Sequence, residues 1–462
     1  MLDKTSNADL YPPTVPPSAR ALPLLLHLTK FVRNPLRALP RAVYEKPIVT
    51  YGRKKPLATW VTGPDLIEHI LIKRSDVFVK TRLDKRVLRP LIGTGILTAD
   101  GDVWRWQRKL ASPLFRPGDA MTYVPQMVQA ADEQLARWKS KGAHIANIEA
   151  AMTDTTFAVL ARTILSGIDE KQAADIQRTG HTFIQSIMWS VASALLLLPE
   201  TWWHPGRTRM LAAAAEARAI VQKLIDMRRA AQSEHGIDGD DLIARMLKAR
   251  NPDTGEPMTD DQLVDNLGTF LLAGHETTAK ALTWTLYLLA RSPEWQSRVR
   301  EEVAAVTGGG IVTAEHISRL EITQRVLKES MRLYPPVPAM TRVNREPAEI
   351  AGITFPDPAL IVIPIYAVHR HKALWEDPDK FDPDRFLPER EAKMARTQFM
   401  PFGAGPRVCI GAAFALVEAT AVLATLIASA RFEWDGKHLP EPVSRITLHP
   451  KGSMPLVVTP LS

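Results

Sequence analysis

The sequence contains one cysteine, Cys409, among 462 residues. A single cysteine excludes an internal disulfide, a zinc site built from paired cysteines and a four-cysteine iron–sulfur cluster. Hydrophobic residues make up 45% of the chain and charged residues 23%, which is typical of a globular protein with a large core. The composition therefore indicates a globular fold without covalent cross-links.

The sequence also lacks a recognisable targeting segment. Residues 1–20 are polar and proline-rich, without the basic-then-apolar order of a signal peptide. Two apolar stretches, 182–199 and 412–430, are long enough to be considered as membrane spans. Both lie deep in a polar chain, and the first contains Gln185, so we interpret them as buried helices. We therefore expect a cytoplasmic protein without stable membrane insertion.

Charge of neither sign is concentrated in one part of the chain. The sequence has 58 basic and 50 acidic residues, a net charge of +8, and its basic residues are dispersed. A nucleic-acid-binding protein would usually gather its excess charge in a patch or tail, so we expect no nucleic-acid partner. Two interpretations of the excess stay open: a solvated surface, or a docking face for an acidic partner protein.

No repeat and no glycine–serine linker divides the chain, which favours one large domain. We expect a mainly α fold with a smaller β part, in which one sheet built from both chain ends clamps a helical body. The expected boundaries are a flexible segment at 1–20 and a domain at 21–462. The strand-rich regions of that domain are 40–63, 340–370 and 445–460, and its helix-rich regions are 64–335 and 410–432.

The stretch 259–291 predicts one very long helix. Thr259 and Gln262 form a capping-box pattern at its start, and Pro293 follows its end. At 1.5 Å per residue, about 33 residues span about 50 Å, the width of a whole domain. The second half is apolar on nearly every side, so this helix is expected to cross the core.

The cysteine lies in a glycine-rich loop, PFGAGPRVCIG, at 401–411. Gly403, Gly405 and Gly411 allow tight turns and a close approach to a bulky group. An apolar helix is predicted after Gly411, so Cys409 lies just ahead of a helix N-terminus, where the dipole favours a thiolate. The residues alone leave three interpretations open: a catalytic nucleophile, a redox sensor or a metal ligand. A dinucleotide-binding turn is disfavoured because no apolar strand precedes the glycines.

The pattern Phe-Gly-x-Gly-x-Arg-x-Cys-x-Gly at 402–411 closely resembles the heme-binding loop of the cytochrome P-450 monooxygenases. The resemblance implies heme b as the cofactor, with Cys409 as the axial thiolate ligand of its iron. It further implies that Arg407 pairs with a heme propionate, and that Phe402 and Gly411 belong to the cofactor-binding loop.

A second pair of motifs agrees with this resemblance. KESMRLYPP contains Glu329 and Arg332, three residues apart on one helix face, and PDKFDPDRF contains Arg385. Taken alone, this spacing would indicate an ordinary surface pair. In the family the three residues form a buried network behind the heme loop, so the resemblance implies a structural role for them here.

Further propionate contacts are implied upstream and downstream. Trp104 and Arg108 are four residues apart on one helix face, which alone would indicate a stacked surface pair. In the family such a pair binds heme propionates, and Arg342 stands where another propionate arginine is often found. We expect Trp104, Arg108 and Arg342 to bind the cofactor.

The stretch AGHETT at 273–278 interrupts the long apolar helix with residues that disfavour helix interiors. One interpretation is a helix bend with a threonine bonded to a carbonyl one turn back. The stretch also resembles the oxygen-activation site of the family. That resemblance implies that Ala273 and Gly274 leave room for dioxygen above the heme, that Thr277 hydrogen-bonds dioxygen, and that Glu276 relays protons to it. No role is assigned to His275, which we expect to face outward or to be satisfied in the core.

The resemblance implies a heme-thiolate monooxygenase of the soluble, bacterial type. It would insert one oxygen atom from O2 into an apolar organic substrate by hydroxylation or epoxidation. Electrons would come from NAD(P)H through a reductase and a separate ferredoxin or flavodoxin. The alternatives are a peroxide-driven peroxygenase, against which the Glu276–Thr277 pair argues, and a non-catalytic heme-based gas sensor.

The sequence also gives expectations for the substrate pocket and for the surface that binds the redox partner. The substrate pocket is predicted to be lined by Phe270, Ala273, Val337, Met340 and Met454, and the stretch 182–199 to form part of an access lid. These stretches show no convergent charges, which favours an apolar substrate. We expect a monomer whose redox partner docks near the cysteine face, at Arg105 and Lys109.

Overall fold

The computed structural model describes residues 9–19, 24–51, 58–163, 168–196, 198–235, 242–251 and 254–461. Helices dominate this part of the chain. They are α1 (Leu24–Arg33), α2 (Pro64–Glu68), α3 (Arg82–Ile92), α4 (Gly101–Ala111), α5 (Pro117–Thr122), α6 (Val124–Lys139), α7 (Ile148–Thr163), α8 (Glu170–Leu195), α9 (Arg207–His235), α10 (Leu242–Lys248), α11 (Asp260–Arg291), α12 (Pro293–Thr307), α13 (Ala314–Ile317), α14 (Glu321–Leu333), α15 (Ile365–Val368), α16 (Pro388–Glu391) and α17 (Ala412–Ser429). The mainly α fold is thus confirmed.

Strands are short and lie towards the two chain ends. They are β1 (Ile48–Tyr51), β2 (Ala58–Val61), β3 (Phe78–Val79), β4 (His144–Asn147), β5 (Met340–Asn344), β6 (Ala348–Ile350), β7 (Ile353–Phe355), β8 (Leu360–Ile363), β9 (Ala430–Trp434), β10 (Pro442–Ser444), β11 (Leu448–Pro450) and β12 (Pro455–Pro460). The largest sheet has the order β1-β2-β8-β5-β3 and joins both ends of the chain.

One expectation about the strands needs correction. The C-terminal strands do not join the largest sheet, because β12 pairs with β4 and β9 in a separate three-stranded sheet. The short hairpin β10–β11 stands apart from both sheets. The alternating apolar pattern of these strands was sufficient to predict that they are strands, but the pattern does not specify which partner each one finds.

The long helix α11 is the centre of the molecule and matches its predicted bounds. The backbone N–H of Gln262 donates to Thr259 Oγ1 at 3.2 Å, and the Thr259 N–H donates to Gln262 Oε1 at 3.0 Å, which forms the capping box. The 32 residues of the helix span about 48 Å. In its second half Trp284 is fully buried and stacks on Tyr334 with ring centroids 3.9 Å apart. Helix α11 is therefore a well-packed core element that can position the residues of a site.

Helix α17 is the one helix, among the residues described, that is long and apolar enough to cross a membrane. Two thirds of its window, 67%, is buried inside the protein. It packs against α6, α11, α12 and α14, so its apolar residues form core contacts. In the stretch 182–199, Phe183 and Ile187 are fully buried against residues of α3 and α9, whereas Trp189 and Leu196 are exposed. The apolar character of both stretches is thus largely explained by packing.

The N-terminal segment differs from the expected flexible tail. Within residues 9–19, Val15 is buried, and its N–H donates to the hydroxyl of Tyr366 at 3.3 Å. The Tyr334 hydroxyl donates to the carbonyl of Pro13 at 2.8 Å, and the Phe381 N–H donates to the carbonyl of Leu10 at 2.9 Å. The prolines hold an extended backbone whose polar groups find partners on the domain. Residues 9–19 form a strap across the domain rather than a free tail.

Candidate active site

The loop that carries Cys409 is bent by two glycines. Gly403 and Gly405 have φ angles of +76° and +75°, which other residues adopt rarely. A Cβ at Gly405 would lie 2.0 Å from the carbonyl oxygen of Leu71, so only glycine fits there. The Cys409 N–H donates to the Phe402 carbonyl at 2.9 Å and closes the loop. Gly411 is the N-cap of α17 and has a φ angle of −88°. Neither a positive φ nor a close backbone contact therefore requires glycine at this position.

The Cys409 side chain is accessible although it is surrounded by protein. Burial raises the pKa of its thiol above the usual value, while the Gly411 N–H and the Arg108 charge act in the opposite direction. The expected thiolate-favouring field of the α17 N-terminus is therefore outweighed by burial in the protein alone. An accessible sulfur in such surroundings faces an interior space.

Helix α11 presents a second group of residues to an interior space. Ala273 is exposed and Thr277 is half-buried, although most residues of this helix are buried. Phe270, one turn earlier, stacks on Phe115 with centroids 5.5 Å apart, and a Cβ at Gly411 would lie 3.8 Å from a ring carbon of Phe115. Phe115 thus bridges α11 and the cysteine loop, and was not predicted. Phe115 and Phe270 therefore form an apolar contact between the cysteine loop and the helix that also carries Ala273 and Thr277.

Cationic side chains collect beside the loop. The guanidinium of Arg407 lies 4.1 Å from the Trp104 ring centroid, and that of Arg108 lies 5.9 Å from it. One Arg407 nitrogen, Nη2, donates to the Ala99 carbonyl at 2.8 Å and to Asp100 Oδ1 at 2.7 Å. Burial lowers the pKa of Arg407 to about 10, with the positive charges of Arg342 and Arg108 acting in the same direction. The structure therefore brings the predicted residues Trp104, Arg108, Arg342 and Arg407 into one cluster.

A lysine that the sequence did not single out belongs to the same cluster. Lys80 is buried, which lowers its pKa to about 8, and the charges of Asp84, Arg342, Arg407 and Asp100 all act on it. Its ammonium donates to the Leu97 carbonyl. Three arginines and one lysine against two aspartates leave a net positive charge, which favours an anionic ligand.

These residues fit heme. The Nη1 atom of Arg407 is buried and has no hydrogen-bond partner in the described protein, so it has a donor to offer to a carboxylate such as a heme propionate. Cys409 supplies a sulfur of the type that ligates heme iron. Phe270 and Phe115 supply the apolar walls that a porphyrin ring requires. Cys409 would hold the iron, and the cationic cluster would hold the propionates.

The predicted network of Glu329, Arg332 and Arg385 is present and buried. Arg332 Nε and Nη2 donate to Glu329 at 2.6 and 2.8 Å, and neither side chain is exposed. Arg385 Nε lies 3.6 Å from Glu329 Oε1, and its other nitrogens donate to the carbonyls of Glu376 and Asp377. Arg332 also donates to the His369 carbonyl at 2.8 Å, and the Met400 N–H donates to His369 Nε2 at 3.0 Å. The network thus reaches the segment that leads into the cysteine loop.

Comparison with known proteins decides the family. The model of the cytochrome P450 family matches residues 16–457. The chain is a cytochrome P450. It is 32% identical to a cytokinin hydroxylase of Arabidopsis thaliana over 442 residues, which cover 92% of this chain and 84% of that protein. It is 31% identical to a cyclooctatin synthase of Streptomyces melanosporofaciens over 444 residues, 95% of this chain and 93% of that one.

A solved structure supports the same fold. The crystal structure of a cytochrome P450DA heme domain matches with a TM-score of 0.83, at 24% identity, over 97% of this chain and 99% of that one. A second Streptomyces melanosporofaciens protein, a cyclooctat-9-en-7-ol 5-monooxygenase, is 32% identical over 409 residues, 88% of this chain and 87% of that one. This P450 is therefore a heme monooxygenase with the P450 fold.

The structure shows the surroundings of each residue in the AGHETT stretch of this P450. Thr277 is half-buried, and its Oγ1 donates to the Ala273 carbonyl at 2.9 Å, one turn back, which is the threonine-to-carbonyl bond that the first interpretation of this stretch expects. A Cβ at Gly274 would lie 3.0 Å from Leu160 Cδ1, so this glycine allows α7 to pack closely on α11 rather than leaving room beside Ala273. His275 is buried, with Nδ1 2.7 Å from the Leu271 carbonyl, so the core-satisfied interpretation is confirmed.

Glu276 does not lie beside the Thr277 hydroxyl. Consecutive helix residues point about 100° apart, so the two side chains leave α11 on different sides. The Glu276 carboxylate is buried and accepts a hydrogen bond from Thr447 at 3.0 Å. Burial would raise the pKa of Glu276, but the hydrogen bond and charge of His449 and the charge of Lys280 lower it below its usual value. Glu276 is thus held as a carboxylate away from the interior space.

The predicted pocket residues have different surroundings. Met454 is fully buried in the core, and its carbonyl accepts a hydrogen bond from the Ile148 N–H at 2.8 Å. Met340 reaches towards the cysteine loop, with its Cε atom 3.2 Å from where a Cβ of Gly403 would lie. Val337 is half-buried, Phe270 stacks on Phe115, and Ala273 is exposed. Their role in a substrate pocket stays a prediction.

Proposed function

We propose that this P450 uses electrons from separate redox proteins to hydroxylate or epoxidise an apolar organic substrate. Bound heme would supply the oxygen chemistry, and the protein would bind, orient and protonate. The observation that carries the proposal is the accessible Cys409 sulfur beside a cationic cluster in which Arg407 Nη1 has no partner in the described protein, next to the apolar contact of Phe115 with Phe270. The cationic residues found near it belong to the propionate cluster, which supports an uncharged, apolar substrate.

In this proposal Thr277 holds a proton on the side of α11 where dioxygen would bind. Its hydroxyl hydrogen is donated to the Ala273 carbonyl, so its oxygen is free to accept a proton-bearing partner. Glu276 is the proposed source of protons, and its carboxylate must turn from its present partners to deliver them. Because its lowered pKa keeps Glu276 ionised at neutral pH, the carboxylate has to take up a proton before each delivery.

A Thr277→Ala variant tests the proton role. We expect electron consumption to continue while product per electron falls at least about tenfold and peroxide accumulates, since a positioned acid–base group contributes about 10²–10⁴-fold. Thr283→Ala is the matched control, because Thr283 makes the same bond to a carbonyl one turn back but is fully buried in the core. Unchanged coupling in the Thr277 variant would exclude the role.

Binding spectra test the substrate class. Apolar compounds of graded size should shift the heme absorption of the purified protein, and densely charged compounds should not. A Phe270→Ala variant should weaken these shifts, because Phe270 forms part of the apolar wall. Shifts confined to highly charged compounds would contradict the proposal.

A ferredoxin or flavodoxin is the proposed electron donor, with the reductase using NAD(P)H. Arg105 and Lys109 are exposed on α4, the helix that also carries Trp104 and Arg108. A Lys109→Glu variant should slow reduction by an acidic ferredoxin several-fold at low salt and lose this difference at high salt. Lys437→Glu, on an exposed loop after β9, is the control. Equal, salt-independent rates in both variants would argue against this docking face.

We further propose a monomer that works in the cytoplasm, of the soluble type found in bacteria. The burial of α17 in the core supports the absence of a spanning role for that helix. Gel filtration and cell fractionation test both statements, and recovery of the full-length protein only in membranes would overturn the second.

A further inference from the structure

A buried cluster of charged and polar groups surrounds the Glu276 side chain of α11. His449, on β11, has Nε2 at 3.2 Å from Glu276 Oε1 and at 2.8 Å from Thr447 Oγ1. The Thr447 hydroxyl also lies 3.0 Å from Glu276 Oε1. Two side chains of the hairpin β10–β11, Thr447 and His449, thus contact the carboxylate of Glu276.

The cluster continues to a second carboxylate. His449 Nδ1 lies 3.2 Å from Glu149 Oε1 on α7, and Lys280 Nζ, on α11, lies 2.8 Å from the same oxygen. The Lys280 side chain is only 5% exposed, so this ion pair is screened little by solvent. Each ring nitrogen of His449 thus contacts a carboxylate, so the imidazole links Glu149 on α7 to Glu276 on α11.

A cavity lies over the same side of α11. It lies between α8, α9 and α11, and its α11 wall includes Gly268, Leu271 and His275. With about 100° between residues, these positions lie opposite Phe270, Ala273 and Thr277 on the helix. Glu276 and Lys280 reach the cavity, and Glu276 is the only carboxylate in its lining among the residues described.

We propose that His449 is a positioning residue that holds Glu276 at the inner end of this cavity, so that the carboxylate takes up protons there before it turns towards Thr277. The inference rests on the proposed role of Glu276 and Thr277 in proton supply. The step moves one proton from water in the cavity to a Glu276 carboxylate oxygen and involves no electron transfer. His449, Thr447, Glu149 and Lys280 keep the carboxylate in place until it is protonated.

The charges around the cluster agree with this arrangement. The groups that face His449 are Glu276 and Lys280 from α11, Glu149 from α7 and Thr447 from its own hairpin, and His181 on α8 lies within range of their charges. Burial would raise the pKa of Glu149, but its contacts with His449 and Lys280 lower it. The contacts with His449 and Lys280 thus favour the ionised form of both carboxylates, and protonation of Glu276 weakens its contact with His449 and frees it to move.

The test compares three variants, His449→Leu, His449→Gln and Glu276→Gln. Each is assayed as the heme-loaded enzyme with a redox partner protein supplying electrons. We expect His449→Leu to lower product formed per electron about tenfold, to raise the solvent deuterium isotope effect and to move the acid limb of the pH profile upward. The upward move follows because Glu276 loses the contact that lowers its pKa. His449→Gln should restore much of the coupling, because an amide can still donate to Glu276.

A second readout does not depend on turnover. In infrared spectra at mildly acid pH, His449→Leu should show a protonated carboxyl band that is absent from the parent and from the double variant His449→Leu, Glu276→Gln. His438→Gln is the control, because His438 bonds to the Ser453 carbonyl at 2.9 Å and is not among the residues that contact Glu276. It should leave coupling, isotope effect and spectrum unchanged.

The outcomes distinguish a failure of the positioning role of His449 from a failure of the proton role of Glu276. If Glu276→Gln uncouples the enzyme and His449→Leu and His449→Gln both keep the parent coupling, isotope effect and pH profile, His449 has no positioning role and the proposed function stands. If Glu276→Gln also leaves coupling unchanged, the proton role of Glu276 fails, and this inference fails with it. A loss of stability in His449→Leu with parent-like coupling and spectrum would mark the cluster as structural and overturn the inference.

Discussion

His369 is a buried base whose protonation state is determined by its neighbours. It is fully buried, and its Nε2 accepts a hydrogen bond from the Met400 N–H. Burial lowers its pKa to about 3, and the charges of Arg332 and Arg370 act in the same direction. The imidazole is therefore neutral at every pH at which the protein functions, and it links the Glu329–Arg332 network to the segment before the cysteine loop.

This burial predicts how stability depends on acid. The pKa of His369 is about 3 when folded and about 6.5 when unfolded, so in this range the unfolded chain binds a proton that the folded chain does not. The corresponding stability is complete above pH 6.5 and falls by up to about 1.4 kcal/mol per pH unit as the pH drops towards 3. A His369→Gln variant should show a flatter decline in urea unfolding between pH 6.5 and 4. A His144→Gln control on β4 should keep the parent slope, and equal slopes for all three proteins would refute the argument.

Single residues were predictable where a short pattern specifies them. Cys409, Arg407 and the Trp104–Arg108 pair lie within motifs of a few residues, and the structure brings them together. His449 was not predictable, because it meets Glu276 across 173 positions of sequence and no local spacing marks it. A lone histidine in a strand carries no signal until the hairpin that holds it is placed.

At the scale of elements, the bidentate pair of Glu329 and Arg332 fastens α14 to the loop that follows α15. Arg332 Nη1 donates to the Pro378 carbonyl at 2.7 Å and its Nη2 to the Lys380 carbonyl at 3.0 Å, while the Asp382 N–H donates to Glu329 at 2.8 Å. Both side chains are fully buried, so no water can replace either partner. The position of the whole segment that precedes the cysteine loop depends on this pair.

Removing one member should therefore be costly. We expect Glu329→Gln to lower the free energy of unfolding by about 3–5 kcal/mol, because it leaves the buried Arg332 guanidinium without its counter-charge. Urea unfolding measures this loss. The control is Glu45→Gln, whose solvent-exposed contacts with Arg41 and Lys372 should contribute far less to stability. Similar small losses in both variants would contradict the structural role.

Elements were predictable in proportion to the length of their pattern. Helix α11 matched because a capping box, a long apolar run and a following proline all agree. The separate three-stranded sheet and the burial of Met454 were missed, because strand pairing depends on contacts such as Pro455 with Asn147, which are far apart in sequence. Local patterns determine that a strand forms, and tertiary packing determines its neighbour.

At the scale of the whole molecule, the N-terminal strap is part of the domain. It lies across the side chains of Tyr334 and Tyr366, both fully buried, and Ser18 pairs with Pro40 in an isolated bridge. We expect deletion of residues 1–19 to lower the free energy of unfolding by about 3 kcal/mol or more, from several hydrogen bonds of about 1 kcal/mol each and the burial of Val15.

Thermal and urea unfolding with heme bound check this expectation. Tyr11→Phe is the control, because it removes only an exposed hydroxyl contact with Asp377 and should change stability far less than the truncation. A truncated protein as stable as the parent would show that the strap contributes nothing to the fold.

The strap also constrains the order in which the protein can be completed during synthesis. Leu10 bonds to the backbone of Phe381, so a segment that leaves the ribosome early must wait until more than 370 further residues have been translated. At about 5–20 residues per second, this delay is on the order of 20 to 70 seconds. During translation the contact of Leu10 with Phe381 therefore forms late, and a chaperone that holds this segment would act on the last step of assembly rather than the first.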